Sequence, residues 1–194
     1  MTTKTLYKYR SLNNFEYFLD ILVNNRLHAS SYEEKNDAME GVYYNAGLSR
    51  NTLKRINEEK INYKILSLSK DADNILMWSH YADGSRGVNI EVEVTAHNVD
   101  VREIVYDGMA EIAQVVNEKN TAEEILTHKH SSWSYEQEVR VFTRNSFVTI
   151  KILRIILGKR ISKNHKKLIK DLVNKINPKI EVIDYKQFRN LYDQ

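Results

Sequence analysis

The stretch GVNIEVEVT, residues 87–95, alternates Val88, Ile90, Val92 and Val94 with polar partners. A period of two sends successive side chains to opposite faces, so this run predicts a strand with one face in a core. The nearly continuous apolar run IKILRIIL, residues 150–157, predicts a central strand. Shorter candidates lie at residues 6–9, 27–29, 63–69, 102–106 and 180–183. Val139, Val141 and Thr143 alternate with Glu138, Arg140 and Phe142 in one more.

Helical spacing marks the segments between them. Phe15, Phe18, Leu19, Leu22 and Val23 predict a helix over 13–25, with Asn13 and Glu16 as a capping-box start. Leu168, Ile169, Leu172, Val173 and Ile176 share one face of a helix over 162–177, and Pro178 marks its end. A short helix over 74–81 should stop before the turn-forming Asp83-Gly84-Ser85. A helical stretch is expected after Gly108, with Thr121 and Glu124 as a second capping box near its last turns. Residues 33–60, polar and broken by Gly41 and Gly47, read as a lid or an irregular helical region. The expected fold class is α+β: one domain over 1–194, a central mixed or split β-sheet flanked by helices.

Composition narrows the class. The 194 residues are 42% hydrophobic and 28% charged, which suits a packed core and excludes global disorder. There is no cysteine, so disulfides, thiolate metal sites and a Cys nucleophile are excluded and a reducing compartment is expected. MTTKTLYKYR has no apolar signal core, and no run approaches the roughly 18 apolar residues of a membrane span. A cytoplasmic protein without a membrane partner is expected. Net charge is +3, much of it in residues 158–170, GKRISKNHKKLIK. A solvated helix surface is the favoured explanation and nucleic acid the less favoured one, because no basic–aromatic stripe accompanies the run.

Four motifs carry candidate chemistry. In WSYEQEVR, residues 133–140, Glu136 and Glu138 placed two apart on a strand would face one side. Paired carboxylates raise one partner's pKa and prepare it for proton transfer or for binding a hydroxyl. Trp133 and Tyr135 would form an aromatic wall. The plainer reading has Glu138 and Arg140 neutralising each other on a solvated face. Ser67-Leu68-Ser69 offers two hydroxyls able to hold a ribose or order a carboxylate, although such pairs are commonly inert. In Tyr7-Lys8-Tyr9-Arg10, Arg10 can bind phosphate, or simply pair with Asp37, Glu40 or another acid. MWSHYADG, residues 77–84, gathers Trp78, His80 and Tyr81 beside a glycine turn, with His80 a candidate acid–base group. His128 and His130 lack a third ligand at any recognisable spacing, so no metal site is expected.

Several blocks resemble a bacterial and phage family, domain-of-unknown-function family 2971. They are LYKYRSL, NDAMEG, SLS, MWSHYADGSRGV and KHSSWSYEQEVR, spread over roughly residues 6–158. Ala38 stands where that family usually has proline. The family name implies no activity, and its distribution associates it with toxins, defence and phage–host conflict.

The order Arg10, Ser67 and Ser69, Glu136 and Glu138 is also similar to the arginine, serine-x-serine and glutamate-x-glutamate series of ADP-ribosyltransferases. That resemblance implies an ADP-ribosyltransferase-like fold with NAD as substrate. It implies that Arg10 binds NAD phosphate or ribose, that the serines organise the site, and that Glu138 holds the nicotinamide ribose. Glu136 would orient the acceptor nucleophile, on a macromolecule the sequence does not identify. Tyr9, Trp78, His80, Tyr81, Trp133 and Tyr135 count with Arg10, Ser67 and Ser69 as cofactor-binding candidates. Arg10, Ser67 and Glu138 are then expected to meet in one pocket. The competing expectations are a non-catalytic nucleotide- or protein-binding module and a nuclease holding Mg²⁺ on Asp37, Glu40, Glu136 and Glu138.

Overall fold

A computed structural model describes residues 5–45, 47–112 and 121–192. Its first half runs β1 (Leu6–Arg10), α1 (Phe15–Asn24), β2 (Arg26–His28), β3 (Tyr43–Asn45), α2 (Arg50–Asn62), β4 (Lys64–Ser69), α3 (Ile75–His80) and β5 (Val88–Val94). There follow β6 (Asp100–Glu103), β7 (Ala110–Ile112), α4 (Thr121–Ile125), β8 (Glu138–Thr143), β9 (Phe147–Leu157), α5 (Lys163–Ile176), β10 (Glu181–Asp184) and α6 (Tyr185–Tyr192). The fold class is α+β. The chain forms two compact units, each discontinuous: Met1–Leu27, Ser69–Ala96 and Thr149–Gln194 in the first, His28–Leu68 and His97–Val148 in the second.

In the first unit the strands run in the order β10-β9-β5-β1. β5 is antiparallel to both neighbours, and β10 is parallel to β9. The alternation of residues 87–95 is realised: Val88, Ile90 and Val92 are fully buried. Asn89 is buried as well; its side-chain N–H donates to the Ala72 carbonyl at 3.1 Å, while its Oδ1 has no hydrogen-bond partner among the described residues. Gly87 and Gly158 are required by close approach. A Cβ on Gly87 would lie 2.1 Å from the Arg10 carbonyl oxygen, and one on Gly158 would lie 2.3 Å from that of Ser85.

α1 buries Phe18, Ile21 and Leu22, but its N-cap is Asn14 without a side-chain bond, so the Asn13–Glu16 capping box does not form. α5 starts as expected, with the Ser162 hydroxyl accepting from the His165 N–H at 3.1 Å. It buries Ile169 and Val173 while Leu168 and Ile176 stay exposed, so its apolar stripe is wider than the surface it covers. α6 follows β10 directly and was not expected. Its one buried side chain, Phe188, leaves almost no apolar period to read.

The second unit orders its strands β4-β8-β6, with β6 antiparallel to β8, and pairs β3 with β7 in parallel. All six residues of β8 are buried, so both of its faces are covered. Ile65, Leu126 and Phe142 form one core cluster; Ile56, Ala110, Ile112 and Ile125 form another. The region read as a lid or irregular helix contains a regular 13-residue helix, α2, capped by Ser49. Its period is hidden because it buries only Ile56 and Lys60, whose ammonium donates to the Gly41 carbonyl at 2.8 Å. The stretch after Gly108 opens with strand β7 rather than helix; residues 113–120 lie outside the described residues, and Thr121 opens α4 rather than sitting near its end.

Candidate functional site in a buried charge network

Glu136 and Glu138 do not share a strand. Glu136 ends a 3-10 turn, Ser131–Glu136, and Gln137 adopts the left-handed conformation (φ 43°) before β8 begins at Glu138. A non-glycine residue there turns the chain sharply at some cost in strain. The turn nevertheless brings both carboxylates to one cation. Lys129 Nζ donates to Glu136 Oε2 at 2.6 Å and to Glu138 Oε2 at 3.2 Å.

Arg140 closes the other side. Its Nε donates to Glu138 Oε1 at 2.8 Å and its Nη2 to Glu138 Oε2 at 3.2 Å. The same guanidinium grips Glu40 with two bonds, at 2.5 and 2.7 Å, and donates to the Leu126 carbonyl. Such forks are the strongest side-chain hydrogen bonds available. The Glu138 backbone N–H donates to the Tyr106 hydroxyl at 2.7 Å. Side-chain exposure is 1% for Arg140, 4% for Glu138, 5% for Glu136 and 7% for Lys129. Charges so deep require partners, and here each has them. Burial alone would push the Glu138 carboxyl up; the Arg140 and Lys129 charges outweigh it and hold it well below the usual carboxylate range.

Ser67 joins the network from β4. Its hydroxyl bonds the Glu138 side chain and accepts from Lys35 Nζ at 3.2 Å; Lys35 also donates to the Ile65 carbonyl at 2.9 Å. Burial pushes the Lys35 amine down to about 8. Three carboxylates (Glu40, Glu136, Glu138) therefore balance three cations (Lys35, Lys129, Arg140). The half-buried Trp133 ring covers Lys129, with Nζ 4.7 Å from the ring centroid, and Tyr135 leans on Trp133 at 6.1 Å. The expected aromatic wall thus lies over a lysine. The plainer reading of Glu138 and Arg140 holds in pairing and fails in place, because the pair is buried rather than solvated.

The remaining candidates belong to the first unit. Arg10 lies over the Tyr17 ring at 5.3 Å. Of the acids named as its simple partners, Glu40 is held by Arg140, and the Asp37 carboxylate accepts from the Met39 N–H at 2.9 Å. Tyr9 is a core residue. Its hydroxyl donates to the Asp71 carbonyl at 2.9 Å, and its ring meets Trp78 edge-on at 5.3 Å. Trp78 in turn meets Tyr185 at 5.8 Å, and its buried Nε1 has no hydrogen-bond partner among the described residues. Ser69 is buried, its hydroxyl accepting from the Asp71 N–H at 3.0 Å, so the two serines serve different neighbours. His80 and Tyr81 sit at the exposed end of α3, rings 6.4 Å apart.

His128 reaches Asp107 at 2.7 Å, while His130 caps the 3-10 turn through the Ser132 N–H. Among the described residues no group of three or more His, Asp and Glu side chains is placed to hold a metal ion. Three of the four acids read as Mg²⁺ ligands are already engaged by Arg140 and Lys129. Lys35 and Tyr106 were missed as members of the network. Neither stands in a motif, and only the pairing of distant segments reveals them.

No helix among the described residues is long and apolar enough to cross a membrane. No curated protein and no solved structure matches the chain. Residues 77–141 match the model of the family described as protein of unknown function DUF2971, a segment that contains the MWSHYADGSRGV and WSYEQEVR blocks.

Proposed function

We propose that the protein is an NAD-using enzyme of ADP-ribosyltransferase or NAD-glycohydrolase type, with Ser67 and Glu138 at its working centre. The observation that carries this reading is the bond from the Ser67 hydroxyl to a Glu138 carboxylate that is kept ionised. Cleaving the bond to nicotinamide builds positive charge on the ribose carbon. A fixed carboxylate beside that carbon, hydrogen-bonded to a ribose hydroxyl, stabilises the charge as it develops. Glu136, tied to the same Lys129, would orient the acceptor, and the half-buried Trp133 and Tyr135 would face the nicotinamide ring.

A second reading, a non-catalytic nucleotide- or protein-binding module, is favoured by one feature. Both oxygens of Glu138 are already taken by Arg140 and Lys129. Under it the carboxylate is architectural and the ligand is only held.

The test follows nicotinamide release from NAD, with melting temperature recorded alongside. Ser67→Ala is the informative variant because it leaves every ion pair in place. The enzymatic reading expects release by the wild-type protein and a loss of about 100-fold or more in Ser67→Ala, with little change in melting temperature. A thermal shift with NAD but no release supports the binding module. Neither release nor shift sinks the NAD reading.

A further inference from the structure

A cleft of about 500 Å³ opens in the first unit, lined by Lys159, Lys163, Lys166, Lys186 and Arg189, with Asp184 as the one acid among the described residues. A shallower groove of about 380 Å³ shares Lys163 and Lys166 with it and continues along α5 to Lys167, Lys170 and Asp171. Lysines 163, 166, 167 and 170 recur at three- and four-residue spacing, which puts them on one helix face beside the buried Ile169 and Val173.

Lys166 pairs with Asp184 at 2.7 Å and Arg189 with Asp73. Lys159, Lys163 and Lys186 make no ion pair among the described residues. Seven cations and two carboxylates give this surface a formal charge of +5. The whole chain carries +3, so everything else sums to −2 and the entire positive excess is concentrated here.

We infer that this cleft and groove bind a single-stranded nucleic acid through its phosphates. Lys163 to Lys170 alone covers roughly 10 Å of helix at 1.5 Å per residue, more than a single phosphate can neutralise. Lysine ammonium groups act as point charges, suited to a mobile chain of phosphates; the one guanidinium in the cleft is already held by Asp73. A concave surface suits a strand better than a flat bilayer. The cleft also contains the aromatic element that the basic run lacks in sequence. Tyr185 lines it, with its hydroxyl donating to Asp73 at 2.6 Å and its ring braced by Trp78. That fixed ring offers a platform for a base.

The experiment measures fluorescence anisotropy of a labelled single-stranded RNA of about 12 nucleotides with the full chain, across a salt series. The variant Lys159→Glu/Lys163→Glu/Lys186→Glu changes only exposed side chains, and its melting curve checks that it is folded. Its matched control, Arg50→Glu/Lys54→Glu/Lys151→Glu, makes the same charge change elsewhere. The cleft variant is expected to bind at least about tenfold more weakly, with the log–log salt slope reduced by about 2. The control should change less than about threefold. Equal loss in both variants overturns the inference, as does no RNA binding by the wild-type protein. Two further outcomes also overturn it: displacement by inorganic phosphate or a mononucleotide at matched phosphate concentration, and binding to acidic vesicles without binding to RNA. Nicotinamide release is unaffected by the cleft variant, so the two proposals stand or fall separately.

Discussion

The second unit places Glu40, Lys129, Glu138 and Arg140 inside, with side chains at most 7% exposed, whereas the first leaves Lys159, Lys163 and Lys186 outside, with no ion pair among the described residues. The same residue types therefore act under different rules. Inside, the desolvation penalty makes each charge depend on the exact position of its partners, so the network fixes β8 against the turn before it. Outside, water screens each lysine, and what matters is how many of them face one ligand. A charge belongs to the architecture where removing it strands a partner, and to recognition where it does not.

The largest expected effect breaks the inner network. Arg140→Met strands Glu40 without its cation and leaves Glu138 with Lys129 alone, and should cost about 3–5 kcal/mol in urea unfolding, or prevent folding. Lys163→Glu, its counterpart on the outer surface, should stay within about 0.5 kcal/mol. If the two variants lose similar stability, the contrast between the units is wrong. Glu138→Gln removes the carboxylate that Lys129 and Arg140 share, leaving each with one buried acid, Glu136 and Glu40, so it should destabilise the protein, contrary to what a cleft-facing carboxylate would give.

Acid should weaken the network next. The folded pKa of Glu138 lies below its unfolded value, so the unfolded chain takes up more protons as pH falls below about 4.3. The stabilisation is complete above that pH and declines progressively below it. Urea midpoints between about pH 5 and pH 3 should fall more steeply for the wild-type protein than for Glu138→Gln. Parallel slopes would remove Glu138 from the account.

The smallest effect sharpens the comparison at its border, where Lys35 touches the network from a half-buried position. Its amine should titrate with a midpoint of about 8, against about 10.4 for an unperturbed lysine. NMR of reductively methylated protein resolves the two. Because the neutral amine is the favoured form in the fold, stability from this group rises with pH between those two values.

What was legible in the sequence was local. Val88, Ile90 and Val92 declare their strand by period, and Ser162 and Pro178 bracket α5 by cap and break. α2 hid because it buries one isoleucine and one lysine, and α6 because it buries only Phe188. Gln137 defeated the reading of Glu136 and Glu138 as strand neighbours, since spacing does not encode a left-handed residue between them. The Glu40–Arg140 fork joins positions 100 residues apart, and no pattern in either neighbourhood announces it. Tyr9 and Trp78 were marked as binding residues by their chemistry. Both rings are packed in the core of the first unit.

The discontinuity of the two units has a consequence for synthesis on the ribosome. Every residue of the second unit has been polymerised by Val148, while the first still lacks β9, α5, β10 and α6. The early strand β1 can meet β5 as soon as that segment emerges, yet β5 keeps an open edge until β9 arrives. The nascent chain thus holds one complete unit with a charged interior and one incomplete unit with an unfinished apolar sheet, and that waiting edge is where a stalled or truncated product would aggregate.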